Sequence, residues 1–76
     1  MKTLDRITLN PNVMGGRACL RGLRVTAGMI TGLVASGHTP AAILKLYPYL
    51  EEEDIAQALK YAAWRAEEVE LVLQPA

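Results

Sequence analysis

Cysteine and histidine are almost missing from these 76 residues, which hold one of each, Cys19 and His38. A single cysteine excludes an internal disulfide. One cysteine with one histidine also cannot close a structural zinc site, which takes about four such ligands. Neither metal nor cofactor is expected. Long apolar runs are missing too: the best candidate, Ala27 to Ala35, falls far short of the roughly 20 residues a membrane-spanning helix needs. The opening Met1-Lys2-Thr3-Leu4-Asp5 lacks the apolar core of a secretion signal. A cytoplasmic protein with no membrane contact is the expectation. A catalytic pair is lacking as well. His38 follows a glycine that ends a helix, where a capping or surface role suits it better than general-base chemistry. Cys19 has arginines nearby but suits the role of a small half-buried residue better than that of a nucleophile. The chain is expected to be a binding module and not an enzyme.

At this length one hydrophobic core is the natural organisation. Such a chain buries only about 60% of its unfolded surface, so a dimer or larger homo-oligomer is the expected supplement to its stability. The 8 basic and 8 acidic residues balance, but the signs are segregated. Residues 1–38 carry Lys2, Arg6, Arg17, Arg21 and Arg24 against Asp5, a net of +4. Residues 39–76 carry Lys45, Lys60 and Arg65 against Glu51, Glu52, Glu53, Asp54, Glu67, Glu68 and Glu70, a net of −4. Two readings stand side by side: one half meets a polyanion or an acidic partner, or the molecule pairs its own halves or those of a twin subunit.

Local signals place the elements. Arg6-Ile7-Thr8-Leu9 alternates polar and apolar and meets Asn10-Pro11-Asn12, a short strand closed by a turn. After Gly15-Gly16, residues Arg17 to Thr26 fit a hairpin turning at Arg21-Gly22, which pairs Leu20 with Leu23, Cys19 with Arg24 and Ala18 with Val25. That register puts Ala18, Leu20, Leu23 and Val25 on one face, with Arg17, Cys19 and Arg24 on the other. Thr26 is an N-cap, with Val25 stapling onto Ile30, and Gly37 ends the helix. Within that helix Gly28 and Gly32, four apart, allow another backbone to approach closely. Thr39-Pro40 starts a second, short helix that stops at Tyr47 before Pro48. The acidic run Glu51 to Asp54 suits the positive end of a third helix, and reads as a solvated first turn. That helix runs from Glu52 to Leu73, roughly 33 Å. Its stripe Ile55, Leu59, Ala62, Ala66, Val69, Leu73 is heptad-like, and its last turns are expected to pack on another chain.

The fold class is therefore mainly α: a helix-turn-helix three-helix domain with a short N-terminal β-hairpin element and a long C-terminal helix. It divides into a β-rich element over 1–26, a helix-turn-helix core over 27–63 and a helical extension over 64–76. Thr39 to Tyr47, a turn, then Glu52 onward has the helix-turn-helix layout. The second helix of that pair opens on acids that repel phosphate. Candidate contacts to DNA or to a protein partner are accordingly Arg6, Arg17, Arg21 and Arg24, with Lys45 and Lys60 as further phosphate ligands. Arginine fits because its planar fork donates two parallel hydrogen bonds to phosphate or carboxylate. Candidate interface residues are Ile55, Leu59, Trp64, Val69, Leu71, Val72 and Leu73.

Arg6-Ile7-Thr8 with Asn10-Pro11, Gly15-Gly16-Arg17 with Cys19, Arg21-Gly22 and Arg24-Val25, Gly37 with Thr39-Pro40, Ile43-Leu44, Tyr47-Pro48, Glu53-Asp54-Ile55 and Ala58-Leu59-Tyr61-Ala62 together resemble domain-of-unknown-function family 433. The resemblance covers about residues 5 to 63, through many separated positions in order. It implies a small helix-turn-helix domain acting as a VapB-like antitoxin. Such a protein neutralises a PIN-like ribonuclease toxin and binds operator DNA as an autorepressor. A PIN-like nuclease gathers carboxylates around a catalytic metal, which makes Arg17, Arg21 and Arg24 the candidates for blocking it. Replacing all three by alanine is expected to abolish inhibition without unfolding the domain. The alternative is a structural homo-oligomerisation module without nucleic-acid binding.

Overall fold

The computed structural model describes residues 4–68, with Glu68 described in its backbone only. Three helices and a two-stranded antiparallel sheet make a mainly α domain. Strand β1 (Ile7–Leu9) and strand β2 (Ala18–Leu20) precede helices α1 (Ala27–Ala35), α2 (Pro40–Leu46) and α3 (Glu52–Glu68). No helix among the described residues is long and apolar enough to cross a membrane.

The helix boundaries follow from capping chemistry. Thr26 accepts from the Met29 backbone N–H at 3.0 Å, and Thr39 accepts from that of Ala42 at 3.1 Å, each satisfying a donor that the first turn leaves free. Helix α1 ends in a Schellman motif: the His38 N–H reaches the Leu33 carbonyl and the Gly37 N–H that of Val34, both at 3.0 Å. Gly37 supports this with a φ of +97°. The His38 ring adds its Nδ1 at 3.1 Å from the same Leu33 carbonyl. Helix α2 stops at Leu46 before Pro48. The expected run of α3 beyond Glu68, with Val69, Leu71, Val72 and Leu73, lies outside the described residues.

The β element differs from expectation. The partner of β2 is β1, in the register Ile7 with Leu20, Thr8 with Cys19 and Leu9 with Ala18. The turn at Arg21-Gly22 does form, closed by a 2.8 Å bond from the Leu23 N–H to the Leu20 carbonyl. Beyond it the chain slips by two residues: Leu20 donates to the Val25 carbonyl and Cys19 bridges to Thr26. An even slip keeps every side chain on its face, so Ala18, Leu20 and Val25 still point into the core. Cys19 is the exception. It is 1% exposed, covered where the strand meets Thr26, and does not share a solvated face with Arg17 and Arg24.

The core gathers Leu20, Val25, Ile30, Ile43, Leu50, Ile55 and Ala58, with Ile7, Leu33, Val34, Leu44, Leu59 and Tyr61 packed around it. Helix α1 packs chiefly on α3. Among the described residues of the heptad-like stripe, Ile55 is buried and Leu59 half-buried in the domain's own core, Ala62 is half-buried, and Ala66 is exposed. Ile55 is a core residue here, not an interface residue. Among the described residues no backbone approaches Gly28 or Gly32 closely. A side chain at Gly32 would meet nothing within 4 Å, and one at Gly28 would meet only the Thr26 hydroxyl, at 3.8 Å.

Candidate partner-binding surface

Two arginines that composition assigns to a cationic face are used inside the fold. Asp54, on the first turn of α3, is fully buried at 0% exposure, not solvated. It is held from three directions. Arg21 donates through Nε at 3.0 Å and Nη2 at 2.9 Å, Arg6 donates through Nη1 at 3.0 Å, and the Glu51 backbone N–H donates at 2.8 Å. The last contact is half of a capping box, with Asp54 reaching back to the residue that precedes the helix. Arg6 also pairs with Glu51, and Arg21 donates to the Tyr49 carbonyl at 2.8 Å. Arg21 holds a φ of +49°, a conformation uncommon for a side-chain-bearing residue, and its fork on Asp54 and Tyr49 keeps it there. Burial alone would push the Asp54 carboxyl up. The hydrogen bonds from Arg21, Glu51 and Arg6 outweigh it, so the carboxyl sits below its ordinary 3.8. The same contacts raise both guanidiniums, Arg6 chiefly through Glu51 and then Asp54, Arg21 chiefly through Asp54.

Gln57 completes this clasp. Its Oε1 accepts from the Arg6 N–H at 2.8 Å while its Nε2 donates to Asp5 at 2.8 Å and Glu53 at 3.1 Å. Among the described residues every buried side-chain polar atom has a partner. The N-terminal half therefore pairs with the C-terminal half at Arg6 and Arg21, in one of the two readings the segregated charge allows. This overturns the expectation that an alanine triple at Arg17, Arg21 and Arg24 leaves the fold intact. Removing Arg21 strips a buried carboxylate of its main partner.

The remaining candidates stand elsewhere. Arg17, Arg24, Lys45 and Lys60 are exposed and make no side-chain hydrogen bond or ion pair with any described residue. Arg17 lines a recess of about 520 Å³ with Thr26, Gly28, Met29 and Tyr61. From Gly28 and Tyr61 a second groove of about 610 Å³ continues between α1 and α3, past Gly32 and Ala62 to Arg65. Trp64 is half-buried on α3, its ring 6.0 Å from that of Tyr61. Asp54, Gln57, Tyr61 and Arg65 are not among the site residues expected from the sequence, where Asp54 stands as part of a solvated acidic turn. The position of Asp54, three residues after Glu51, is the signal for a carboxylate that reaches back to the N–H preceding the helix. Among the described residues no group of three His, Cys, Asp or Glu converges as metal ligands.

A family model described as "protein of unknown function (DUF433)" matches residues 7–62. The chain belongs to this family. It aligns at 36% identity over 56 residues with the uncharacterised protein y4eO of Sinorhizobium fredii, covering 74% of this chain and a quarter of that protein, 25%. The crystal structure of a DUF433 member from Anabaena variabilis is similar to it, with a TM-score of 0.77 and 28% identity over 88% of this chain and 67% of that one. The DUF433 match contains both strands, the turn bearing Arg21, and Asp54 and Gln57 of the clasp, whereas Asp5 and Arg6 lie just before it. Arg65 and Ala66, at the far end of the groove, lie just beyond it.

Proposed function

We propose that this DUF433 domain is the antitoxin of a type II toxin–antitoxin pair, a binding module without catalytic activity of its own that neutralises a PIN-like ribonuclease. The supporting observation is the division of its arginines. Arg6 and Arg21 are committed to Asp54, whereas Arg17 and Arg24 are exposed and engaged by no described side chain. An unengaged guanidinium at a surface is the group a carboxylate-lined nuclease centre takes, because its fork matches a carboxylate with two charge-assisted bonds. The class of partner is what the resemblance implies, and the charge division supports Arg17 and Arg24 as its contacts. In this reading operator DNA meets the Arg17 and Arg24 side, with Lys45 and Lys60 on phosphates, and not the start of α3, where Glu52 and Glu53 are exposed.

The test is a pull-down of the tagged chain from its native host, followed by a ribonuclease assay on any protein held with it in fixed ratio. The Arg17→Ala, Arg24→Ala double variant is expected to stay folded and to lose inhibition at least tenfold. Full inhibition by that variant sinks the arginine mechanism and moves the contact to Trp64 and the segment 69–76, which truncation after Ala63 then probes. Recovery of no such ribonuclease sinks the antitoxin reading itself.

A further inference from the structure

Gly28 and Gly32 weaken α1 relative to alanine, yet neither has the positive φ that calls for glycine, and among the described residues neither is packed against another element. What their missing side chains do create is depth. The groove between α1 and α3 is floored by Gly28, Gly32 and Ala35 on one side and Ala62 and Ala66 on the other. It is continuous through Gly28 and Tyr61 with the recess that ends at Arg17 and Met29. Arg17 stands at one end and Arg65 at the other, both exposed, and neither pairs with a described side chain. The result is an apolar trough between two cations.

We propose that this trough takes an acidic amphipathic helix of a partner protein, laid along α1 with its small apolar face on the glycine and alanine floor and its carboxylates on Arg17 and Arg65. A floor without side chains lets a helix axis come close, and side-chain size sets that distance. The nine residues of α1 span about 13 Å, so the occupant needs roughly three turns of helix. Charge decides against a second copy: a two-fold contact brings the same patch to both sides and would set arginine against arginine at both ends of the trough. A nucleic acid would leave the apolar floor unmatched. This inference rests on the partner-binding reading above and names the chemistry of the partner's contact.

The probe is a capped 18-residue helical peptide of alanine and leucine with glutamates along one face, and a twin with lysine in place of every glutamate. Each carries a fluorophore and is titrated against the whole chain by anisotropy. The acidic peptide is expected to bind and the lysine peptide to fail. Gly32→Leu fills the floor, so it should weaken binding at least tenfold while the melting temperature holds or rises. Arg65→Glu should weaken it severalfold at low salt, with the difference shrinking as salt screens the contact. The inference is overturned if the two peptides behave alike, if neither binds, or if Gly32→Leu leaves the affinity unchanged. It is also overturned if sedimentation equilibrium shows a dimer that Gly32→Leu dissociates, which assigns the trough to a second copy. Discrimination between the peptides with no ribonuclease bound keeps this inference and fails the antitoxin reading. A ribonuclease held equally by wild type and Gly32→Leu, with neither peptide bound, does the reverse.

Discussion

The two ends of helix α3 use charge in opposite ways. At its start Asp54 is buried and receives Arg6, Arg21 and the Glu51 N–H, with Gln57 closing the ring toward Asp5 and Glu53. Towards its end Arg65 borders an open trough of small residues. The first arrangement is complete within the chain, and the second leaves both charge and apolar surface without a partner among the described residues. An arginine held on a buried carboxylate belongs to folding. Recognition falls to the arginines that folding leaves over, and counting arginines does not separate the two groups.

Breaking the closed end has the largest expected effect. Asp54→Ala removes the buried acceptor that joins Arg6, Arg21 and the Glu51 N–H and should lower the urea midpoint, followed by helical ellipticity, more than any other change named here. The same clasp carries an acid dependence. Because the Asp54 carboxyl is lower in the folded chain than its ordinary 3.8, its contribution is fully present above the ordinary carboxylate range and is lost as pH falls through the lowered value. The urea midpoint should hold from neutrality to about pH 5 and drop below about pH 4. In Asp54→Asn this part of the slope should vanish; an unchanged slope would remove the clasp as its cause.

Smaller effects sharpen the contrast. Thr26→Ala removes the cap at the Met29 N–H and should cost about 1 kcal/mol by the same measurement. Gly32→Ala, at the open end, should stabilise by up to about 1 kcal/mol, since its new methyl meets no neighbour within 4 Å. A loss of stability there would mean that the trough is filled in solution. The Arg17→Ala, Arg24→Ala pair should change stability by less than about 0.5 kcal/mol, while weakening partner binding as set out above.

Much of the fold was legible because its signals are local. Thr26, Gly37, Thr39 and Pro48 each act on donors and carbonyls within a few residues, so the three helices and their limits follow from short-range chemistry. The strand at Ile7 to Leu9 and the turn at Arg21-Gly22 were legible for the same reason. The strand pairing was not. A tight turn proposes Arg24 opposite Cys19, whereas the chain sets Thr26 there and β1 takes the other edge of β2 from across the Asn10 to Arg17 loop, a pairing that local turn chemistry does not reveal. The candidate surface divides along the same line. Arg17 and Arg24 are named by residue type, but the removal of Arg6 and Arg21 from their company depends on Asp54, 48 and 33 residues away.

By itself the sequence determined that the chain is mainly helical, where its helices start, and that its charge is split between halves, since capping, proline and composition act over one or two turns. Only the tertiary structure decided which of those charges meet each other, that Asp54 is buried, that Ile55 belongs to the core, and that Gly28 and Gly32 face an open trough. These depend on residues far apart in the chain sharing one low-dielectric interior, where an unpaired charge is costly and each pairing settles which groups remain for a partner.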